Sequence, residues 1–279
     1  MSISALDFDY VRNVVRQSSA IVLEDGKEYL VEARLTPMLR RESLQTLDQL
    51  VSRLRAQPGS SSTQGLKQRV VEAMTTNETS FFRDIHPFEA LRKTILPDLI
   101  AKRRDEKRLA IWCGASSTGQ EPYTIAMLLR ENFPELANWT ISFLASDLST
   151  EVLTRARSGV FNQLEVNRGL PARMLVKYFT QKGTEFHIRE DLRQMIDFRC
   201  INLVEPWPAM PGLDLVMMRN VMIYFDTPTK KNILQRVRRL MRPNGYLVLG
   251  GAETTINLED TLQLVRLDKF TCYQLRSIS

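Results

Sequence analysis

Residues 111–126 read IWCGASSTGQEPYTIA, a buried-looking apolar run that breaks into small residues and resumes as a helix-like stretch. The same rhythm extends on both sides: LAIWCG (109–114), EPYTIAMLLREN (121–132), WTISFLASD (139–147) and STEVLTRARSG (149–159) alternate short apolar runs with helical periodicity. Such alternation predicts an α/β fold, a parallel sheet with crossover helices. MIDFRCINL (195–203), LDLVMMRN (213–220) and GYLVLGG (245–251) continue the sheet. TPTKKNILQRVRRLMRPNG (227–245) reads as a helix capped by Gly245. LQLVRL (262–267) and FTCYQL (270–275), two residues apart, read as an antiparallel pair. The rhythm breaks at about 171–195, where PARMLVKYFT leads into TEFHIREDLRQM, the pattern of a small β-rich insertion.

The turn at the end of the first strand offers Gly114, Ala115, Ser116, Ser117 and Gly119, small residues that let a nucleotide-like ligand approach the backbone. It lacks the G-x-G-x-x-G order and a Walker lysine, which disfavours a pyrophosphate or triphosphate cradle. Alone, the turn fits any α/β protein. Asp147 ends the second apolar run, where a carboxylate can accept both hydroxyl hydrogens of an adenosine ribose. Glu121 opens the following helix, placed either to cap it or to attract a cationic ligand group. Asn202 and Leu203 close the third run, an amide and an apolar edge suited to adenine or, equally, to a loop cap beside a core leucine.

Upstream, residues 1–74 hold no convincing strand but carry helical stripes, Phe8-Val11-Val14-Val15-Ser18 and Tyr29-Leu30-Ala33-Leu35. They predict a small helical domain in which Pro37 kinks or breaks the second helix. QPGSSSTQG (57–65) reads as a turn or loop. TTNETSFFRD (75–84) then bridges to a helix opened by Pro87 and reaching the basic run KRRDEKR (102–108). The division expected is a helical domain over 1–74, a linker over 75–86 and an α/β domain over 87–279.

The 279 residues are 43% hydrophobic and 25% charged, enough for one substantial core and a smaller companion. No apolar run approaches the roughly 18 residues of a membrane span, and the opening MSISALDFDY lacks a signal core, so a cytoplasmic protein is expected. Cys113, Cys200 and Cys272 lie far apart and suggest neither a disulfide framework nor a zinc site. With only His86 and His187, the chain is poorly supplied for metal chemistry or a histidine triad, and no metal is expected. The net charge of +6 favours an acidic partner. Arg34, Arg40, Arg41, Arg53, Arg55, Lys67 and Arg69 face only Glu42 and Asp48 between residues 34 and 69, either a docking face or a set of solvated helix faces. No interleaved aromatic and basic platform for nucleic-acid bases is evident, and no heptad seam suggests an oligomer, so a monomer is expected.

TTNETSFFRD, GASSTGQEPYTIA, the Asn202-Leu203 pair and VMMRNVMIYFD (216–226), in this order, resemble the CheR family of chemotaxis receptor glutamate O-methyltransferases. The likeness runs over roughly residues 8–275. It implies a helical N-terminal domain, a Rossmann-like S-adenosylmethionine-dependent methyltransferase domain with a small antiparallel β insertion, and methyl transfer to receptor glutamates. Matched position by position, it places Asn77, Thr79, Arg83, Glu121, Asp147, Asn202, Leu203, Arg219 and Asn220 around the donor, with Arg83 and Tyr224 around the transferred methyl. Gln120 stands where many relatives carry an acid. The implied partner is the cytoplasmic helical region of methyl-accepting chemoreceptors, with the β insertion a place to grip a receptor tail or regulatory partner. The sparse histidine agrees with such chemistry: a glutamate carboxylate, with a reference pKa of about 4.3, is already a nucleophile at neutral pH and needs no general base.

Overall fold

The computed structural model describes residues 3–56 and 61–275. Its contacts divide the chain into two compact units, residues 1–76 with 224–229, and residues 77–223 with 230–279.

The first unit is helical: α1 (Ala5–Ser19), α2 (Glu28–Arg41), α3 (Leu47–Ala56) and α4 (Ser61–Ala73). Ser4 caps α1, its hydroxyl accepting the Asp7 N–H at 3.1 Å, and Ala20 ends it in a left-handed conformation at φ 54°. Phe8, Val11 and Val15 of α1 join Leu35, Leu50, Leu66 and Val70 in one core. Two expectations are corrected here. Pro37 lies inside an unbroken α2, because the buried face of that helix is Val31, Leu35, Met38 and Leu39, which runs past the proline on both sides; Tyr29 of the expected stripe is exposed. Ser61–Gly65, expected as loop, form the first turn of α4, anchored by buried Leu66, Val70 and Val71; the rest of that expected loop, 57–60, lies outside the described residues.

Much of the basic excess in this unit is engaged internally. Arg34 donates to the carbonyls of Met74 and Thr75 and to Thr76 Oγ1 at 2.5, 3.0 and 2.7 Å. Arg55 pairs with Asp7 at 3.0 Å over the Tyr10 ring, and Arg69 pairs with Glu42 at 2.7 Å. The unit also holds residues 224–229: the Val22 N–H donates to the Tyr224 carbonyl at 3.0 Å, and Arg16 pairs with Asp226 at 3.2 Å.

The second unit opens with α5 (His86–Ala90) and α6 (Leu96–Lys102), joined by a π-helical turn over Leu91–Ile95. Pro97 explains the wide turn, since its ring and missing N–H are incompatible with a regular bond to the carbonyl four residues back. Then follow β1 (Arg108–Gly114), α7 (Gln120–Asn132), β2 (Thr140–Asp147), α8 (Thr150–Ser158), β3 (Val160–Asn162), α9 (Gln163–Asn167), α10 (Ala172–Tyr178), β4 (Phe179–Lys182), β5 (Glu185–Ile188), α11 (Glu190–Arg193), β6 (Asp197–Cys200) and β7 (Leu213–Met218). α12 (Thr227–Leu240), β8 (Met241–Leu249), β9 (Leu262–Leu267) and β10 (Phe270–Leu275) complete it.

The main sheet has the order β6-β2-β1-β7-β8-β10-β9, parallel through β8 and antiparallel at β10 and β9. β1 and β7 are buried almost throughout, as strands covered on both faces must be. The chain runs outward from β1 to β2 and β6, then crosses to β7 and β8, so strand order reverses at β1. A crevice forms at the carboxyl ends of strands where order reverses. At the opposite end, Asp214, 1% exposed, accepts from Arg103 Nε at 2.7 Å and from the Ala110 N–H at 2.9 Å, a buried charge fully paired.

Gly245 does not cap α12. That helix ends at Leu240, and Gly245 lies within β8, where an added Cβ would stand 2.9 Å from the carbonyl oxygens of Leu213 and Arg242. The glycine serves close strand approach rather than helix termination. The small antiparallel sheet has the order β3-β5-β4, and it takes β3 from before residue 171, directly after α8. No helix among the described residues is long and apolar enough to cross a membrane.

Candidate functional site

β1 and β2 end level, Gly114 opposite Ser146, so the turn after β1 meets Asp147 directly. Ala115, Ser117 and Gly119 all have positive φ, 55°, 49° and 95°, which folds the turn tightly against β2. The Ser116 N–H donates to the Ser146 carbonyl at 2.8 Å. Asp147, 7% exposed, accepts the Ser117 N–H at one oxygen (2.8 Å) and the Ser149 N–H at the other (3.0 Å). The carboxylate is thus oriented by two backbone donors before any ligand is considered. Buried Gln120 faces back into the turn, its amide oxygen accepting the Thr118 hydroxyl at 2.7 Å.

The segment 77–84 lies on this turn. Ser117 Oγ donates to the Asn77 carbonyl at 2.8 Å, and the Phe82 N–H donates to Thr124 Oγ1 of α7 at 3.2 Å. Thr79 is half-buried in the same segment. Phe81 is fully buried, edge-on to Phe161 of β3 and Phe179 of β4 at 5.0 and 5.7 Å, while Phe82 meets Phe88. These rings pack the segment rather than waiting for a base. Gly169, at φ 87°, passes so near that an added Cβ would lie 2.0 Å from the Phe81 carbonyl oxygen. Gly169→Ala is therefore expected to destabilise the second unit by about 2–3 kcal/mol, combining a left-handed backbone with overpacking; a melting curve matching the unaltered chain would refute this.

Arg83 sits between Phe82 and Asp84, both at positive φ (49° and 58°), and donates from Nη1 to the Glu78 carbonyl at 2.8 Å. Arg168, and secondarily Arg83, hold the Glu78 carboxyl below its ordinary value. Arg219, following β7, braces this segment. Its side chain is 3% exposed, donating to Glu121 Oε2 at 2.7 Å, to the Arg83 carbonyl at 3.0 Å and to Asp84 Oδ2 at 2.9 Å. Glu121 therefore answers a buried guanidinium as well as opening α7. Asn220 follows at φ 58°. Tyr224 belongs with the helical unit, its carbonyl bonded to Val22. Burial, and next the charge of Glu121, push the Cys113 thiol well up, which leaves it protonated and no nucleophile.

On the far side of Asp147, the Ile201 N–H donates to the Asp147 carbonyl at 3.0 Å, which sets Asn202 and Leu203 beside it. Asn202 Oδ1 accepts the Val204 N–H at 3.2 Å, and the Leu203 carbonyl accepts from Trp207 Nε1 (3.2 Å) and Arg236 Nη1 (2.9 Å). Trp207 meets Trp112 of β1 at 4.9 Å and carries Arg236 over its ring at 3.9 Å. Trp207, Arg236 and Glu253 went unnoticed in the sequence. Glu253 follows β8 in GGAE, and its carboxylate collects backbone N–H groups from Asn220 and Met222 after β7 and from Gly250 after β8.

Two buried polar atoms at this edge, Ser116 Oγ and Arg219 Nε, have no hydrogen-bond partner in the structure. Buried polar atoms are normally paired, so these two mark a place where a water or a polar ligand group fits. An added Cβ at Gly114 would lie 3.0 Å from the Met218 side chain, so glycine there lets β1 end in close contact with that side chain. Small residues, an oriented carboxylate and two unpaired polar atoms are features that a polar, nucleotide-like ligand can use.

Residues 77–271 match the family model for the CheR methyltransferase SAM binding domain, and residues 6–75 match that for the CheR methyltransferase all-alpha domain. The chain belongs to the CheR methyltransferase family. Chemotaxis protein methyltransferase 1 of Pseudomonas aeruginosa is 37% identical over 281 residues, 99% of this chain and 100% of that protein. Chemotaxis protein methyltransferase Cher2 of Pseudomonas putida shows the same identity and coverage. The chemotaxis protein methyltransferase of Vibrio parahaemolyticus is 33% identical over 279 residues, 99% of each chain. This CheR chain is accordingly an S-adenosylmethionine-dependent methyltransferase, with an all-α part ahead of an α/β part that carries a three-stranded antiparallel sheet.

Proposed function

We propose that this protein methylates glutamate side-chain carboxylates of chemoreceptors, giving glutamate methyl esters and S-adenosylhomocysteine. The observation that carries the reading is the Arg219 brace, which ties the Arg83 segment to Glu121 at the mouth of the crevice. Asp147 takes the ribose hydroxyls, Asn202 and Leu203 the adenine edge, and Asn77, Thr79, Glu121, Arg219 and Asn220 the amino-acid end. Bound S-adenosylmethionine supplies a methyl on sulfonium sulfur, whose S–C bond breaks as the carboxylate O–C bond forms, the electron pair passing to sulfur with no proton moved.

Because no proton moves, the residues need only align the reactants and exclude water. Arg83 orients the acceptor carboxylate by paired hydrogen bonds, and Tyr224 offers its hydroxyl to the same group. Residues 1–74 form the helical domain, 75–86 a linker contributing to the active site, and 87–279 the methyltransferase domain. The acceptor is the helical cytoplasmic region of the receptors, reached by a cytoplasmic monomer, and the small sheet grips a receptor tail or regulatory partner.

Incubation with radiolabelled S-adenosylmethionine and receptor-containing membranes tests this. Transferred label is expected to be released by alkali as volatile methanol, and Arg83→Ala is expected to lose most turnover, about 100-fold. Label stable to alkali would refute carboxyl transfer, and full turnover by Arg83→Ala would remove Arg83 from the site.

A further inference from the structure

We propose that Glu253 is a positioning residue for methyl transfer, its carboxylate holding the loop after β7 in the shape that presents Arg219 and Asn220 to the crevice. The inference rests on the donor-site reading of those two residues. Polar side chains at a strand end are useful only if the backbone beneath them is fixed, and this loop has little regular structure of its own. Between Met218 and the short 3-10 turn Met222–Tyr224 the chain forms no regular element, and backbone N–H groups of Asn220, of the turn and of Gly250 after β8 converge on one carboxylate.

Glu253 receives them. One oxygen accepts the Asn220 N–H at 2.8 Å and the Gly250 N–H at 2.6 Å, while the other accepts the Met222 N–H at 2.7 Å and the Ile223 N–H at 3.3 Å. Four donors converge on one charge, and bonds to an ionised acceptor are the stronger kind. Within this grip Asn220 stands at φ 58°, a left-handed conformation that asparagine adopts more readily than most residues. Gly250 makes room: a Cβ there would stand 2.7 Å from the Glu253 oxygen and 2.9 Å from the Asn220 nitrogen. Arg219 is joined to Asn220 by one peptide, so the register of its guanidinium on Glu121 and the Arg83 carbonyl follows from where Glu253 holds that peptide. Tyr224 is likewise one peptide beyond Ile223. Glu253 acts through these residues, not on the reactants.

Glutamine separates the role of the carboxylate from its size. With two N–H groups at each oxygen, an amide must turn its own NH2 against two donors whichever way it flips. Aspartate keeps both acceptors with a shorter reach. The full chain carrying Glu253→Gln or Glu253→Asp should therefore be compared with the parent for melting temperature, S-adenosylhomocysteine affinity by calorimetry, and kcat and KM for receptor. The glutamine variant is expected to stay folded at the assay temperature, to lose about 10- to 100-fold in kcat and to bind S-adenosylhomocysteine more weakly. Its receptor KM should change less than kcat, and aspartate should recover part of the loss. Native kcat and affinity in Glu253→Gln, or a loss that only tracks the unfolded fraction, would overturn the proposal. Asp147→Asn and Arg83→Ala run alongside: if these lose function while Glu253→Gln keeps it, the Glu253 role alone fails, whereas native behaviour in both controls removes the donor-site reading itself.

Discussion

Arg219→Met is expected to lower the melting temperature of the protein by roughly 6–20 °C. The guanidinium is 3% exposed and serves Glu121, the Arg83 carbonyl and Asp84 together. Removing one partner of a buried pair costs about 3–5 kcal/mol, because the remaining charge stays buried without an answer. In a unit of this size each kcal/mol moves the midpoint by about 2–4 °C. Methionine keeps much of the volume, so the effect reports charge and hydrogen bonds rather than a cavity. A double variant, Arg219→Met with Glu121→Met, should regain much of the loss, since the stranded carboxylate is then gone. Calorimetric melts of the two single variants and the double complete the cycle. If the double is as unstable as the sum of the singles, the two side chains are not coupled and the brace is not what holds the segment.

Asp147→Asn is expected to weaken S-adenosylhomocysteine binding by about 100-fold, the equivalent of two bonds to a charged acceptor at about 1.5 kcal/mol each. Two losses combine. The amide can no longer accept at both ends, so either the Ser117 or the Ser149 N–H meets a donor, and the ribose loses a charged partner. Titration calorimetry separates these from global unfolding when paired with a melt in the absence of ligand. An affinity within threefold of the parent would mean that Asp147 is a purely structural clasp for the turn.

Much of the α/β unit was legible because buried parallel strands have a blunt signature. LAIWCG, WTISFLASD and LDLVMMRN each contain a strand, and the acid, the small residues and the Arg219-Asn220 pair all fall at or just past strand ends. What stayed hidden was set by contacts distant in sequence. Gly245 resembles a helix cap locally, yet its role is fixed by the Leu213 carbonyl across the sheet. β3 is only three residues long, Val160–Asn162, and follows α8 with no turn signal beyond Gly159, so it needs β5 to be recognised at all. Pro37 gave the opposite lesson, a local rule overruled by a buried face that continues past it. Glu121 read as a cap or a ligand contact, and its pairing with Arg219, 98 positions away, could not be inferred from either neighbourhood. Glu253 was invisible for the same reason, although an acid three residues after a strand-ending glycine is a signal worth weighing.

The turn after β1 bears one last consequence, which concerns rates. Ala115, Ser117 and Gly119 hold left-handed conformations while the Ser116 and Ser117 N–H groups are tied to β2 and the Asn77 carbonyl takes the Ser117 hydroxyl. Its backbone therefore loses its conformational freedom during folding, and little ordering remains for a ligand to impose. For the proposed donor site the expected capture is a docking event whose speed is set by diffusion and orientation, not by the closing of this turn.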